Sequence, residues 1–145
     1  MKIVGSAIGI VILLVAGACL WQAASKQPGP MGKEDFRRRV HALASYANET
    51  ALFVEQLAAR ELTGSFTKVH REELEKNVAE ESIKLEAPLP ADLAAGGAKA
   101  RLLAAGLGAA LKEIPERVAD PAALRRIHDD ARRIGAELSG IGGAK

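Results

Sequence analysis

DPAALRRIHDDARRIGAELSG, residues 120–140, is the stretch on which the fold turns. Asp120 is an N-cap residue, and Pro121 stands at the first helical position, where its missing N–H costs nothing. Leu124, Ile127, Ala131, Ile134 and Leu138 then follow at spacings of 3, 4, 3 and 4. That is the period of a helix with one apolar face, and Gly140 supplies a stop.

Working back along the chain, the same pattern recurs. Asp92 caps a helix over about Leu93 to Ile114, with Leu93, Ala100, Leu103, Leu107, Leu111 and Ile114 as its stripe and Pro115 as its close. Before it, Ser65 caps a helix from Phe66 to Glu86, ended by Pro88 and Pro90. Phe66, Val69, Leu74, Val78 and Leu85 are its apolar residues. Glu72–Lys76 and Glu80–Lys84 stand in the favourable i,i+4 order on its charged face. The first helix of the domain runs from Glu34 to Leu62, with Phe36, Val40, Leu43, Ala47, Ala51, Val54, Leu57 and Leu62 on one side and Gly64 as its stop. Short connections between amphipathic helices make neighbours antiparallel, so the expected fold is all-α: an up-down four-helix bundle over residues 34–140 with a flexible tail, 141–145.

Ahead of the bundle, residues 26–33 read as a Pro/Gly linker, and residues 1–25 as a membrane anchor or signal segment. Ile3 to Ala24 is 22 residues without a charge, long enough to cross a bilayer as a helix. Three readings fit. An uncleaved signal-anchor uses the length and places Trp21 at the interface. A cleaved signal uses Lys2 and the small residues Ala16-Gly17-Ala18. A lipoprotein signal uses Val15-Ala16-Gly17-Ala18-Cys19 as a loose lipobox with Cys19 as the lipidated residue, although Ala16 stands where leucine is usual. Each places the bundle at a cell membrane or across one. Lys33 and Arg37–Arg39 after the segment favour a cytoplasmic bundle, whereas the export-like N-terminus favours the periplasmic or other extracytoplasmic side, which is the expectation adopted.

Composition closes several functional classes. Net charge is +2, and Lys2 and Lys26 account for the excess, so the bundle itself is balanced. With no basic run beyond Arg37-Arg38-Arg39 and the single Trp outside the domain, nucleic-acid binding is not expected. The one cysteine, Cys19, leaves the bundle without a disulfide or thiolate metal site. Arg38, Thr67 and Arg125 stand three residues before His41, His70 and His128, so the Glu-x-x-His ligands of a di-metal bundle are missing. His70 and Glu73 share a face, but a charged, solvated one. Ser45, Ser65, Ser82 and Ser139 lack a nucleophile elbow, and Gly96-Gly97 and Gly106-x-Gly108 lack the Lys-Ser/Thr of a phosphate loop. Asn48-Glu49-Thr50 matches a glycosylation sequon inside a helix. No catalytic, cofactor or metal residue is nominated, and an enzyme is not expected.

What remains is a surface. Between Leu93 and Leu111 the only charges are Lys99 and Arg101. Opposite the inner stripe of this third helix runs a second row, Ala95, Ala98, Leu102, Ala105 and Ala109, again at 3-4-3-4 spacing. A bundle uses one side of each helix, so this row is the candidate interface, for a protein partner or a homo-oligomer; alanine as a helix former on a solvent face is the plain alternative. The sequence therefore points to a membrane-tethered helical interaction module of a bacterial envelope complex. A small-ligand or metal-binding bundle at the membrane surface is the alternative.

Overall fold

The computed structural model describes residues 29–115 and 120–143. They form four helices, α1 (Lys33–Ala58), α2 (Gly64–Lys84), α3 (Ala94–Lys112) and α4 (Pro121–Gly143), with a 3-10 turn at Ala91–Leu93, and no strand occurs among the described residues. Residues 3–24, with Cys19, lie outside the described residues. Among those described, no helix is long and apolar enough to cross a membrane.

Cross-helix contacts show the direction of each pairing. Arg39 meets Glu81 and Glu49 meets His70, so α1 and α2 are antiparallel. Arg71 reaches Ile114 and Arg101 reaches Leu85, which sets α2 against α3. Lys99 pairs with Glu137 across α3 and α4. Gly142 lies under His41 and Gly135 under Asn48, which returns α4 antiparallel to α1. Each helix thus touches the next and α4 closes on α1, the most extensive of the four pairings.

Apart from Leu62 and Leu93, which lie outside the four helices and are half-buried, the expected stripes of α1, α3 and α4 are in the core. Phe36, Val40, Leu43, Ala47, Ala51, Val54 and Leu57 are buried, as are Ala100, Leu103, Leu107, Leu111 and Ile114, and Leu124, Ile127, Ala131, Ile134 and Leu138. Asp120 caps α4 as expected: its carboxylate accepts from the N–H groups of Ala122 (2.9 Å) and Ala123 (3.2 Å).

Helix ends and one face differ from the sequence reading. The first helix stops at Ala58 rather than Leu62. Arg60 takes a left-handed conformation (φ 60°), its N–H bonds to Leu57 O, and Glu61 N–H reaches back to Gln56 O. Those two bonds are the glycine-type helix stop of a Schellman turn, here made by an arginine. Gly64 is therefore not a stop but the first residue of α2, and the N-cap is Thr63, whose hydroxyl accepts from Phe66 N–H, rather than Ser65.

Within α2 the buried residues are Thr67, Leu74, Val78 and Glu81, while Phe66 and Val69 are exposed. Thr67 can replace an apolar residue because its hydroxyl bonds back to Thr63 O at 2.9 Å, leaving only its methyl to be packed. The ion pairs of α2 are also shifted: Lys76 pairs with Glu80 and Lys84 with Glu81. Asp92 lies in the 3-10 turn and makes no cap bond to α3. Gly140 does not end α4. Ile141 packs near Gly96 and Phe36, and Gly142 gives room to the His41 ring, so packing carries the helix to Gly143. At the other terminus Met31 is buried and its N–H bonds to Pro88 O at 2.9 Å, so the end of the expected linker belongs to the fold.

Candidate interaction surface

The five residues of the second row on α3 all lie on its outer face. Ala95, Ala98, Ala105 and Ala109 are exposed, and Leu102 is 73% exposed, the most open of the large hydrophobic side chains among the described residues. Ala94 and Gly106 join them. These side chains are short, and a groove flanks α3 on each side. A groove of about 340 Å³ separates it from α2, lined by Glu75, Ala79, Ser82, Ala105, Ala109 and Lys112 among others. A second, of about 250 Å³, separates it from α4, lined by Gly106, Ala109, Glu113, Arg126, Asp130 and Arg133 among others.

The α4 edge of this surface carries connected ion pairs. Lys99 Nζ lies 2.9 Å from Glu137, Arg133 bonds Glu137 at 3.1 Å, and Arg133 also bonds Asp130 at 3.1 Å. The bonds from Lys99 and then Arg133 hold the Glu137 carboxyl below its ordinary range, and Asp130 with Glu137 holds the Arg133 guanidinium above its own. All these groups face solvent, so water and salt screen the interactions.

A different cluster sits at the end of the bundle where the chain enters at Gly29. A cleft of about 390 Å³ is lined by Met31, Arg39, Ile83 and Lys84 among others. Its two cations are spent on one carboxylate: Glu81 bonds Lys84 at 2.7 Å and Arg39 at 3.1 Å. Burial would raise the Glu81 carboxyl, but the bonds from Lys84 and Arg39 prevail and lower it. This cluster ties α1 to α2.

His70 and His128 have local partners. His70 stacks on Phe66 (5.4 Å), meets Phe53 edge-on (4.9 Å) and faces Glu49 at 3.4 Å, not Glu73. His128 pairs with Asp129 at 3.0 Å. Among the described residues no group of three or more His, Cys, Asp or Glu side chains is placed to hold a metal. In the sequon, Thr50 is fully buried and its hydroxyl bonds to Tyr46 O at 2.8 Å.

Sequence reasoning missed the cross-helix arginines. Arg71 donates to Ile114 O beyond the end of α3, and Arg101 to Leu85 O at the end of α2, each at 2.9 Å. Each thereby satisfies a carbonyl left open at the end of the opposite helix, where the dipole favours a cation. The signal for them is an arginine near the start of each partner of an antiparallel pair, and it becomes readable only once the register is known.

Comparison with models of protein families, with curated proteins and with solved structures finds no match to this chain.

Proposed function

We propose that this chain is a non-catalytic, membrane-tethered helical interaction module, an accessory or scaffold subunit of a bacterial envelope complex. Residues 3–24 hold it at the membrane, and the bundle stands on the extracytoplasmic side. The observation that carries the reading is the outer face of α3, where a helix flanked by two others presents Leu102 and four alanines to solvent instead of charge. The apolar N-terminal segment supports the tether.

The test is affinity purification of the full chain from membranes, compared with Leu102→Glu and Ala109→Glu. A stoichiometric partner, or self-assembly, present with the parent chain and lost with both variants supports the reading. Assembly that survives both variants rules out this face. A metal or chromophore found with the purified bundle would replace the reading with ligand binding. In parallel, Cys19→Ser leaves the size of an uncleaved anchor unchanged but blocks the processing of a lipoprotein.

A further inference from the structure

We infer that the occupant of the α3 face is a second copy of this chain, packed antiparallel about a two-fold axis that passes near Ala104. The inference rests on the reading of this face as a contact surface and supplies its partner.

The first argument is charge. Counted from the Gly29 end of the bundle, the ion-paired row between α3 and α4 runs Lys99, Glu137, Arg133, Asp130, with signs plus, minus, plus, minus. All four side chains are accessible, between 33% and 57% exposed. An alternating row of four is its own complement when reversed. Turned end over end about its midpoint, Lys99 faces Asp130 of the other copy and Glu137 faces Arg133. A parallel pair, with the axis along α3, lays this row on the α2 edge of the other copy, and the match is lost.

The second argument is shape, and it selects the same axis. Arg133 lines the groove beside Gly106, so the midpoint between Glu137 and Arg133 is level with Ala104. Reversal about that level exchanges residues 102 and 106. Leu102, the one large side chain on the face, then lies over exposed Gly106 of the other copy, which has no side chain to obstruct it. An isologous contact requires this reciprocity, in which residue i meets j and j meets i. The alanines on either side let the two helices approach closely. A lipid surface is a poorer occupant, because Glu137, Asp130 and Glu113 would be turned toward the bilayer with the row. In such a dimer the two Gly29 ends are far apart. Residues 25–30, ahead of the buried Met31, span at most about 21 Å, which lets both tethers enter one membrane when the bundles lie along it.

Disulfide trapping of the full chain in its native membrane tests this, in a Cys19→Ser background. Ala105→Cys, beside the axis, lies within bridging distance of its own copy. Ala95→Cys is about 27 Å from its own copy in the antiparallel pair, well beyond what a disulfide spans. Under mild copper–phenanthroline oxidation, Ala105→Cys is expected to give at least about tenfold more linked dimer than Ala95→Cys, and adding Leu102→Glu is expected to reduce it about tenfold. Equal linking at both positions means a parallel pair and overturns the inference, as does linking unaffected by Leu102→Glu. Absence of linking at Ala105→Cys overturns it too, and maleimide labelling of that thiol then separates the two readings. A shielded thiol leaves the face as a contact surface for a different partner; a freely labelled one removes the contact surface itself.

Discussion

The small residues of α4 and those of α3 meet opposite environments. On α4, Ala131, Gly135 and Gly142 are buried against α1: a Cβ placed on Gly135 would come within 3.4 Å of the Ala47 methyl, and one on Gly142 within 3.1 Å of the His41 ring. On α3, Ala95, Ala98, Ala105 and Ala109 are exposed, and a Cβ on exposed Gly106 would touch only the tip of Ile134, 3.6 Å away. Composition alone does not separate these rows. What separates them is which face the large side chains occupy. In α4 the small residues interleave with Leu124, Ile127, Ile134 and Leu138 on a single stripe, so they shape the seam with α1. In α3 the leucines of the inner stripe fill the core, and the small row stands opposite. A glycine or alanine thus acts as a packing device where the large residues share its face, and leaves a bare surface where they do not.

The occupied seam is the easier to break. Gly135→Leu would drive a branched side chain into Ala47 and Asn48, where even a Cβ comes to 3.0 Å from the Asn48 amide oxygen. Overpacking of this kind costs about 1–3 kcal/mol, read as a lowered midpoint in urea unfolding. Gly135→Ala is the sharper control. The Asn48 amide can shift by a few tenths of an ångström, and alanine in a helix interior gains up to about 1 kcal/mol over glycine, so that variant is expected to be close to neutral. A large loss with alanine as well would mean that the two backbones tolerate no Cβ at all.

The seam between α2 and α3 is held differently, by cations on helix ends. Arg101→Met keeps most of the aliphatic stem but removes the donor to Leu85 O. About 1 kcal/mol should be lost in urea unfolding, the net worth of one partly buried hydrogen bond at a helix terminus. Arg71→Met, which frees Ile114 O, is expected to cost a similar amount, and the two should add because they sit at opposite ends of the pair. If both were silent, this seam would depend on its apolar contacts alone.

A smaller effect belongs to the link between α1 and α2. Glu81 has a folded-state pKa below the ordinary carboxylate value of 4.5, so its ionised form stabilises the fold. That contribution is complete above pH 4.5 and is lost as the pH falls through the lower, folded-state value. Unfolding titrated from pH 7 to pH 3 is expected to show an acid-side loss that Glu81→Gln reduces by under about 1 kcal/mol. The variant's midpoint should already be lower at pH 7, where the wild-type carboxylate holds Lys84 and Arg39.

How far the sequence could be read follows from the same contrast. The helices with one coherent stripe, α1, α3 and α4, declared their buried faces through spacing alone. In α2 the apolar residues lie on more than one side, and the face that is buried includes Thr67 and Glu81, polar groups made tolerable by a back-bond and by two cations. Hydrophobic periodicity has no means of finding a face of that kind. The end of α1 was hidden because the left-handed position is held by Arg60 where glycine is the usual signal, and the end of α4 because Gly140 lies on a helix extended by the packing of Ile141. At the candidate surface, the α3 row was legible from its period. The ion-paired row beside it was not, since Lys99 and Glu137, 38 residues apart in sequence, become neighbours only through the register of two helices.

The smallest effect is expected on the bare row, and its smallness is what makes it informative. Leu102→Glu replaces a side chain 73% exposed to solvent, so in the isolated monomer little apolar burial is lost. A glutamate at mid-helix has a propensity close to that of leucine, and Lys99 and Arg101 stand nearby to offset its charge. The unfolding free energy of the monomer should change by no more than about 0.5 kcal/mol, the usual range for exposed positions. Ala109→Glu adds a carboxylate near the C-terminal end of α3, where the helix dipole opposes it, and Lys112 one turn on compensates in part, so it belongs in the same range. The contrast with Gly135→Leu is the measurement: two substitutions of small or exposed residues on neighbouring helices, one costly and one nearly silent in the same urea titration. If Leu102→Glu instead cost as much as Gly135→Leu in a dilute, monomeric sample, the outer face of α3 would be covered from within the chain, and the two rows would not differ in kind.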